Sequence, residues 1–232
     1  MKKLGILFMF VCGAFVVNAQ DFKPQGGAKN LELQFAPLGG SPISISGIRY
    51  RQFLSANSAF RVNFFVGYHN EVTNLDTART VGITGPELKD SKSSMTFNLR
   101  PGYEMHLAGT ERLSPYFGGE LDFAIKTSKE VDQVAEMNSG GTAFEMKERV
   151  TKGKNGSLRF GLNAVMGCDL YLVKNLYLGA EMGFGFSMEK PSDVKFSSNE
   201  TGAPSVPDSP QKGSTFDIGP NVIGQLRIGY IF

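Results

Sequence analysis

The segment 216–232 reads FDIGPNVIGQLRIGYIF, in which Phe216, Ile218, Pro220, Val222, Gly224, Leu226, Ile228, Tyr230 and Phe232 alternate with Asp217, Gly219, Asn221, Ile223, Gln225, Arg227, Gly229 and Ile231. Residues two apart share one face of a β-strand. One face is therefore apolar and aromatic, and the other carries Asp, Asn, Gln and Arg. The run is longer than a strand of an ordinary globular sheet, so its length has to be set by something other than globular packing.

The same period recurs upstream. Leu158, Phe160, Leu162, Ala164, Met166, Cys168, Leu170 and Leu172 oppose Arg159, Asn163, Asp169 and their neighbours. After Val173-Lys174-Asn175 the pattern resumes from Leu176 to Met188 against Tyr177, Glu181 and Glu189, which predicts a long hairpin. Met95–Leu107 sets apolar residues against Asn98, Arg100, Glu104 and His106; Phe117–Ile125 sets them against Tyr116, Glu120, Asp122 and Lys126; Phe60–Tyr68 against Arg61, Asn63 and His69. Two weaker segments complete the set. Leu31, Leu33 and Phe35 alternate with Glu32 and Gln34, and Ile43–Phe53 changes parity near Gly47, where a bulge is expected. That bulge turns Ile48 and Tyr50 outward and places Arg49 and Arg51 on the polar face. The expectation is eight strands.

Connections are short at 54–58, 108–113 and 173–175, and long at 70–93, 128–155 and 190–213; the one around Pro37 to Pro42 is short but belongs to the long set by parity. Eight antiparallel strands put both termini on the short-turn side. Outer-membrane barrels are built this way, with tight periplasmic turns and longer extracellular loops. Closure also removes strand edges that lipid cannot satisfy. The fold class expected is all-β, an eight-stranded antiparallel up-and-down transmembrane β-barrel that follows a cleaved signal peptide.

The N-terminus supports export. Lys2 and Lys3 precede an apolar run from Leu4 to Val17, and Val17 and Ala19 are suited to cleavage after Ala19. The division expected is a signal peptide over 1–19 and an outer-membrane β-barrel domain over 20–232. Met9 and Val11 do not fit a lipoprotein signal at Cys12, and the spacing of Cys12 from Cys168 fits neither a disulfide framework nor a zinc site. After Val17 no apolar stretch is long enough for a transmembrane helix. Removing Lys2 and Lys3 from the 24 basic residues leaves 22, equal to the 22 acids, so the mature chain is formally neutral and no basic run points to nucleic acid. With 28 Gly and 19 Phe but no Trp, the composition indicates a folded, turn-rich chain.

Alternation alone fits a soluble barrel with its apolar face inward. Length and loops favour the opposite sign, because segments of about 11 to 17 residues exceed what crosses hydrocarbon. The lumen would then hold Arg49, Arg51, Arg61, Arg100, Lys126, Arg159 and Arg227 against Glu32, Glu104, Glu120, Asp122, Asp169, Glu181, Glu189 and Asp217. Isolated buried ions are costly, so this near balance implies a paired, plugged interior. An eight-stranded barrel is only wide enough for side chains to fill it. A narrow or gated channel for ions or small solutes is the alternative. Glycines on the polar face, among them Gly67, Gly102, Gly118, Gly161, Gly167, Gly183, Gly185 and Gly229, are read mainly as points of strand curvature and secondarily as room for Arg side chains.

The signal peptide, the eight segments and the ending Arg227-Ile228-Gly229-Tyr230-Ile231-Phe232 resemble the small OmpA/OmpX-like eight-stranded outer-membrane β-barrel family. Residues Gly47–Arg61 resemble the strand, tight turn and strand common in such barrels. The resemblance implies a Gram-negative outer membrane, contact with its lipid, and a C-terminal assembly signal at Ile228, Tyr230 and Phe232 read by the barrel-assembly machinery. Family members differ in function, so the fold does not choose among them.

Some relatives of this kind modify outer-membrane lipid and need a His and a Ser near the outer rim. Here His69 with Ser91, Ser93 or Ser94 is the one candidate, and neither spacing nor motif supports it. His106 belongs near the opposite rim. Neither a nucleotide-binding nor a catalytic motif is present, so no catalytic, cofactor or metal residues are expected. The loops carry mixed charge, read either as a solvated extracellular surface or as a surface that binds a partner or lipopolysaccharide through Lys and Arg. Alternation over Thr142–Val150 predicts a hairpin extending past the membrane, with an edge able to recruit another strand. The function expected is a non-enzymatic structural or interaction role, with an accessory subunit of an envelope or secretion assembly as one form.

Overall fold

Two-residue alternation sustained over long runs favours extended chain, and strands account for all regular structure in the computed structural model of the protein, which describes residues 22–36, 44–75, 79–80, 83–200 and 207–232. The expected signal peptide, 1–19, lies outside the described residues, as do the side chains of 44–46, 79–80 and 221–225. In chain order the strands are β1 (Lys29–Ala36), β2 (Ser44–Ser55), β3 (Ser58–Leu75), β4 (Arg79–Thr80), β5 (Ile83–Thr84), β6 (Leu88–His106), β7 (Leu113–Met137), β8 (Phe144–Lys152), β9 (Ser157–Val173), β10 (Leu176–Pro191), β11 (Lys195–Ser198) and β12 (Thr215–Ile231).

Eight of them form a closed ring. The order β7-β6-β3-β2-β1-β12-β10-β9 is hydrogen-bonded throughout and antiparallel, and β7 pairs back onto β9 from Leu113↔Leu170 to Lys126↔Ser157. These are the eight segments the alternation picks out. Among the described residues β4 and β5 pair only with each other.

Beyond the ring, much of what reads as long loop is strand. Past Lys126 the partner of β7 changes from β9 to β8, which pairs from Lys129↔Lys152 to Met137↔Phe144. Strand β11 then adds to β8 over Arg149–Lys152. Charged and polar side chains outnumber apolar ones there, so much of the segment resembles solvated loop while the backbone ladder continues. The expected hairpin over Thr142–Val150 is present within this arm, and the chain's own β11 covers part of its edge.

The bulge sits where the parity change puts it. Gln34 faces Gly47, but Phe35 faces Ile45, so one residue is extra in β2. Gly47 has a φ of 153°, and a Cβ there would stand 3.0 Å from the Phe64 carbonyl oxygen. A second irregularity was hidden by strict alternation: β12 slips against β10 between Glu181 and Gly183 and again between Gly183 and Gly185. Pro220, which has no N–H to give a ladder, lies in this stretch. Each slip adds one residue to β12, so two slips restore parity, and Ile218 and Leu226 are both exposed.

The faces have the inverted sign. Leu33, Phe64, Phe123, Leu162, Leu178 and Ile228 all lie on the exposed outside, each with 40–44% of its surface open. Arg49, Arg51 and Arg61, by contrast, are 0% exposed inside the ring. At the short-turn end, Phe22, Tyr171, Tyr177 and Ile231 form a small apolar cluster, and the guanidinium of Arg112 lies 4.3 Å from the Phe22 ring centroid. Segment 22–28 is tied there by Gly27 N–H to the Phe53 carbonyl at 2.7 Å.

Candidate functional site

Inward positions of the ring bring together a buried, charged network. Register places Glu32 opposite Arg49 and Arg51 opposite Arg61, and long side chains carry the rest across the lumen. Glu181 takes both Nη atoms of Arg49, at 2.9 and 2.6 Å, and both of Arg61, at 2.8 Å each. The Tyr116 hydroxyl also donates to Glu181. Glu32 meets Arg51 at 2.5 Å and Arg227 at 2.9 Å, and accepts from the Tyr177 hydroxyl at 2.7 Å. Asp169 bridges Arg51 and Arg227, 2.8 Å from each.

Glu104 and Glu120 close the other side. Glu104 lies 2.7 Å from Arg51 and 3.3 Å from Arg61; Glu120 lies 2.7 Å from Arg61 and 3.3 Å from Arg100. Arg159 is more open and meets Asp122 at 3.1 Å. Arg49, Arg51, Arg61, Arg100, Arg159 and Arg227 thus balance Glu32, Glu104, Glu120, Asp122, Asp169 and Glu181. Charges so far from water persist only when paired and hydrogen-bonded.

Three residues assigned to the lumen from sequence stay out of the network. Lys126 and Asp217 are exposed, and Glu189 is half-buried. All three lie toward the long-loop end, above the closed layer, where an inward side chain meets solvent. Ile228, Tyr230 and Phe232 lie on the outer face, with 44%, 54% and 63% of their surface exposed.

Glycines serve this packing more directly than curvature alone would require. A Cβ on Gly229 would stand 2.1 Å from Tyr177 Cζ, and one on Gly179 would stand 2.5 Å from an Arg227 Nη. Here the missing side chain is the space into which a network member fits, so room for large side chains outweighs curvature at these positions.

The histidines are separated as expected. His69 is exposed and faces Ser94 across the β3–β6 ladder, and its side chain makes no hydrogen bond or ion pair among the described residues. Sequence reasoning missed what His106 does. Its Nδ1 lies 2.8 Å from Ser114 Oγ and its Nε2 3.1 Å from Glu104, and its ring sits between Phe53 and Tyr116. A serine, imidazole and carboxylate in line suggest a nucleophile, but Ser114 is buried and Glu104 is already held by two arginines. The arrangement extends the charge network to the short-turn end. Spacing could not show it, because Ser114 and His106 meet only across the β6–β7 hairpin. Among the described residues no group of three or more His, Cys, Asp or Glu is arranged to hold a metal ion.

No family model matches the sequence, and no curated protein matches it. Among solved structures, the crystal structure of Acinetobacter baumannii CarO2 is similar over 92% of this chain and 100% of that one, at 12% identity and a TM-score of 0.34. Similarity of that degree bears on neither mechanism nor partners.

Proposed function

We propose that the chain is a non-enzymatic β-barrel of a Gram-negative outer membrane, with its ring in the bilayer and its β7–β8–β11 arm outside as an interaction surface for other envelope proteins. One observation carries this reading: the apolar side chains are outside and the arginines inside. Soluble monomers rarely expose a contiguous apolar patch beyond a few hundred Å², whereas here the apolar surface runs around the ring. Along β9, exposed residues extend from Leu158 to Leu172. That is about 46 Å of strand at roughly 3.3 Å per residue. A tilt near 40° reduces it to about 35 Å of height, enough for an apolar band of about 25 Å with a girdle on each side.

The filled interior supports a structural role over a conducting one, since guanidinium and carboxylate groups occupy the lumen from wall to wall. Exposed Ile228, Tyr230 and Phe232 suit both lipid contact and recognition by the barrel-assembly machinery.

Two measurements test the reading. Unboiled protein should migrate differently from boiled protein on a denaturing gel, as a closed barrel resists detergent until heated. In a Cys168→Ala background, Leu162→Cys should react with a bilayer-confined thiol probe and Asn163→Cys should not. A water-soluble, heat-insensitive mature protein would refute the proposal. For the interaction role, envelope proteins should co-purify from detergent-solubilised outer membranes.

A further inference from the structure

We propose that the outer face at the root of the arm binds the phosphorylated headgroup of an outer-leaflet lipid, an inference that rests on the membrane reading above. Register creates the site. Ser93 faces Lys129, Lys129 faces Lys152, and Lys152 faces Lys195, so three lysines stand side by side on β7, β8 and β11. Directly opposed residues on a sheet have Cβ atoms about 4.5–5.5 Å apart, where like charges repel. All three lysines are exposed, and none forms an ion pair among the described residues. A fold that balances its interior charges so closely leaves this row uncompensated.

The row borders a cavity of about 440 Å³, also lined by Tyr68, Met95 and Asp193. Asp193 is the only carboxylate in that lining, so the cavity is net positive. Two interruptions of the ladder meet here, at 153–156 between β8 and β9 and at 192–194 between β10 and β11. Gly153, at a φ of 83°, makes the first possible: a Cβ there would stand 2.1 Å from the Asp193 carbonyl oxygen.

Position relative to the apolar belt selects the ligand. One row toward the ring come Tyr68, Met95 and Thr127, and the next row is Val66, Phe97 and Ile125. Lys129 is therefore four residues from Ile125, about 13 Å along the strand. A ligand that meets both the lysines and the Tyr68–Met95 surface needs an anionic head joined to hydrocarbon. A phosphorylated acyl lipid has that form. Free phosphate has no use for the apolar half, and an acidic peptide has none for the belt beneath it.

The test uses the folded full-length mature chain in detergent micelles, followed by native mass spectrometry. The probes are lipid A with both phosphates, the same lipid dephosphorylated, and inorganic phosphate. Lipid A should be retained, the dephosphorylated form should bind at least about tenfold more weakly, and Lys129→Gln/Lys152→Gln/Lys195→Gln should lose a comparable amount, since cationic side chains at an anionic lipid surface act roughly additively. Lys152→Gln alone should show a smaller loss. Inorganic phosphate that competes as well as the lipid would replace the lipid site with a plain anion site and overturn the proposal. Equal binding by the dephosphorylated lipid or by the triple variant would also overturn it. Heat-modifiable mobility, scored on the same samples, reports the barrel separately: wild type that shifts on heating but binds no lipid defeats this inference alone.

Discussion

Arg61 on β3 and Glu181 on β10, 120 positions apart in sequence, meet fork against fork across the ring, with Nη1 2.8 Å from Oε2 and Nη2 2.8 Å from Oε1. Their strands are four places apart in a ring of eight, so the pair spans its diameter. Arg51 on β2 reaches Asp169 on β9 across another full diameter, at 2.8 Å. These crossings tie opposite walls together, and each end depends on the other.

Removing one partner strands charge that water cannot reach. Glu181→Ala leaves Arg49 and Arg61 short of their main acceptor, and breaking a buried pair in this way costs about 3–5 kcal/mol. Arg159→Ala removes a half-exposed partner of Asp122 and should cost about 1 kcal/mol or less. Urea unfolding of the refolded barrel in detergent, followed by far-UV circular dichroism, distinguishes the two. Equal destabilisation would mean that the interior is hydrated enough to screen Glu181.

Gly229 and Tyr177 form a second coupled pair. Gly229→Ala puts a methyl group into the Tyr177 ring and should destabilise by about 1–3 kcal/mol, as overpacking does. Tyr177→Phe keeps the ring but removes a hydroxyl that donates to Glu32 and accepts from Arg51 and Asn30, all at 2.7 Å. The expected loss is about 1.5–3 kcal/mol, as for hydrogen bonds to charged groups. Combining Gly229→Ala with Tyr177→Leu should cost less than the sum of the two, because the smaller side chain vacates the space; additive losses would place the clash elsewhere.

The outer face should respond to charge according to depth. Arg placed at Leu162, mid-span on β9, should cost about 2–4 kcal/mol in bilayer vesicles, and Arg placed at Tyr68, near the long-loop rim, about 0–1. Both positions are exposed, so in a soluble protein the two substitutions would have similar, small effects. Parallel folding titrations in short-chain lipid vesicles decide this.

The strands were legible in the sequence because one face of each must be apolar from end to end, as in Leu158–Leu172 and Leu176–Met188. The parity change at Gly47 was legible for the same reason: a single extra residue flips the faces. Two extra residues near Pro220 flip them twice, which is why the slips in β12 left no trace in the pattern. The members of the interior network could be named from parity, but not their partners, since Arg61 finds Glu181 only once the ring has closed. Asp217 shows the limit of parity: it has the inward phase but lies above the closed layer. The lysine row was also hidden, because Lys129, Lys152 and Lys195 are brought side by side by a β7–β8–β11 ladder whose residues read as loop.

Ring and arm should separate. The ring closes through β7–β9 pairs that end at Lys126↔Ser157, and the arm begins three residues further along β7, at Lys129↔Lys152. Because Lys129 and Lys152 are already opposed, residues 132–149 can be replaced by a two-residue turn of the Asn-Gly type, which joins adjacent antiparallel strands without altering register. The shortened protein should keep its heat-modifiable mobility and lose only about 1 kcal/mol or less of stability, since the excised side chains lie outside the buried network and exposed pairs contribute little. Envelope proteins that co-purify with the full chain should be lost if the arm is the docking surface. Partners retained by the shortened barrel would assign docking to the ring or the remaining loops, whereas loss of heat-modifiable mobility would mean that the arm is needed to close the ring.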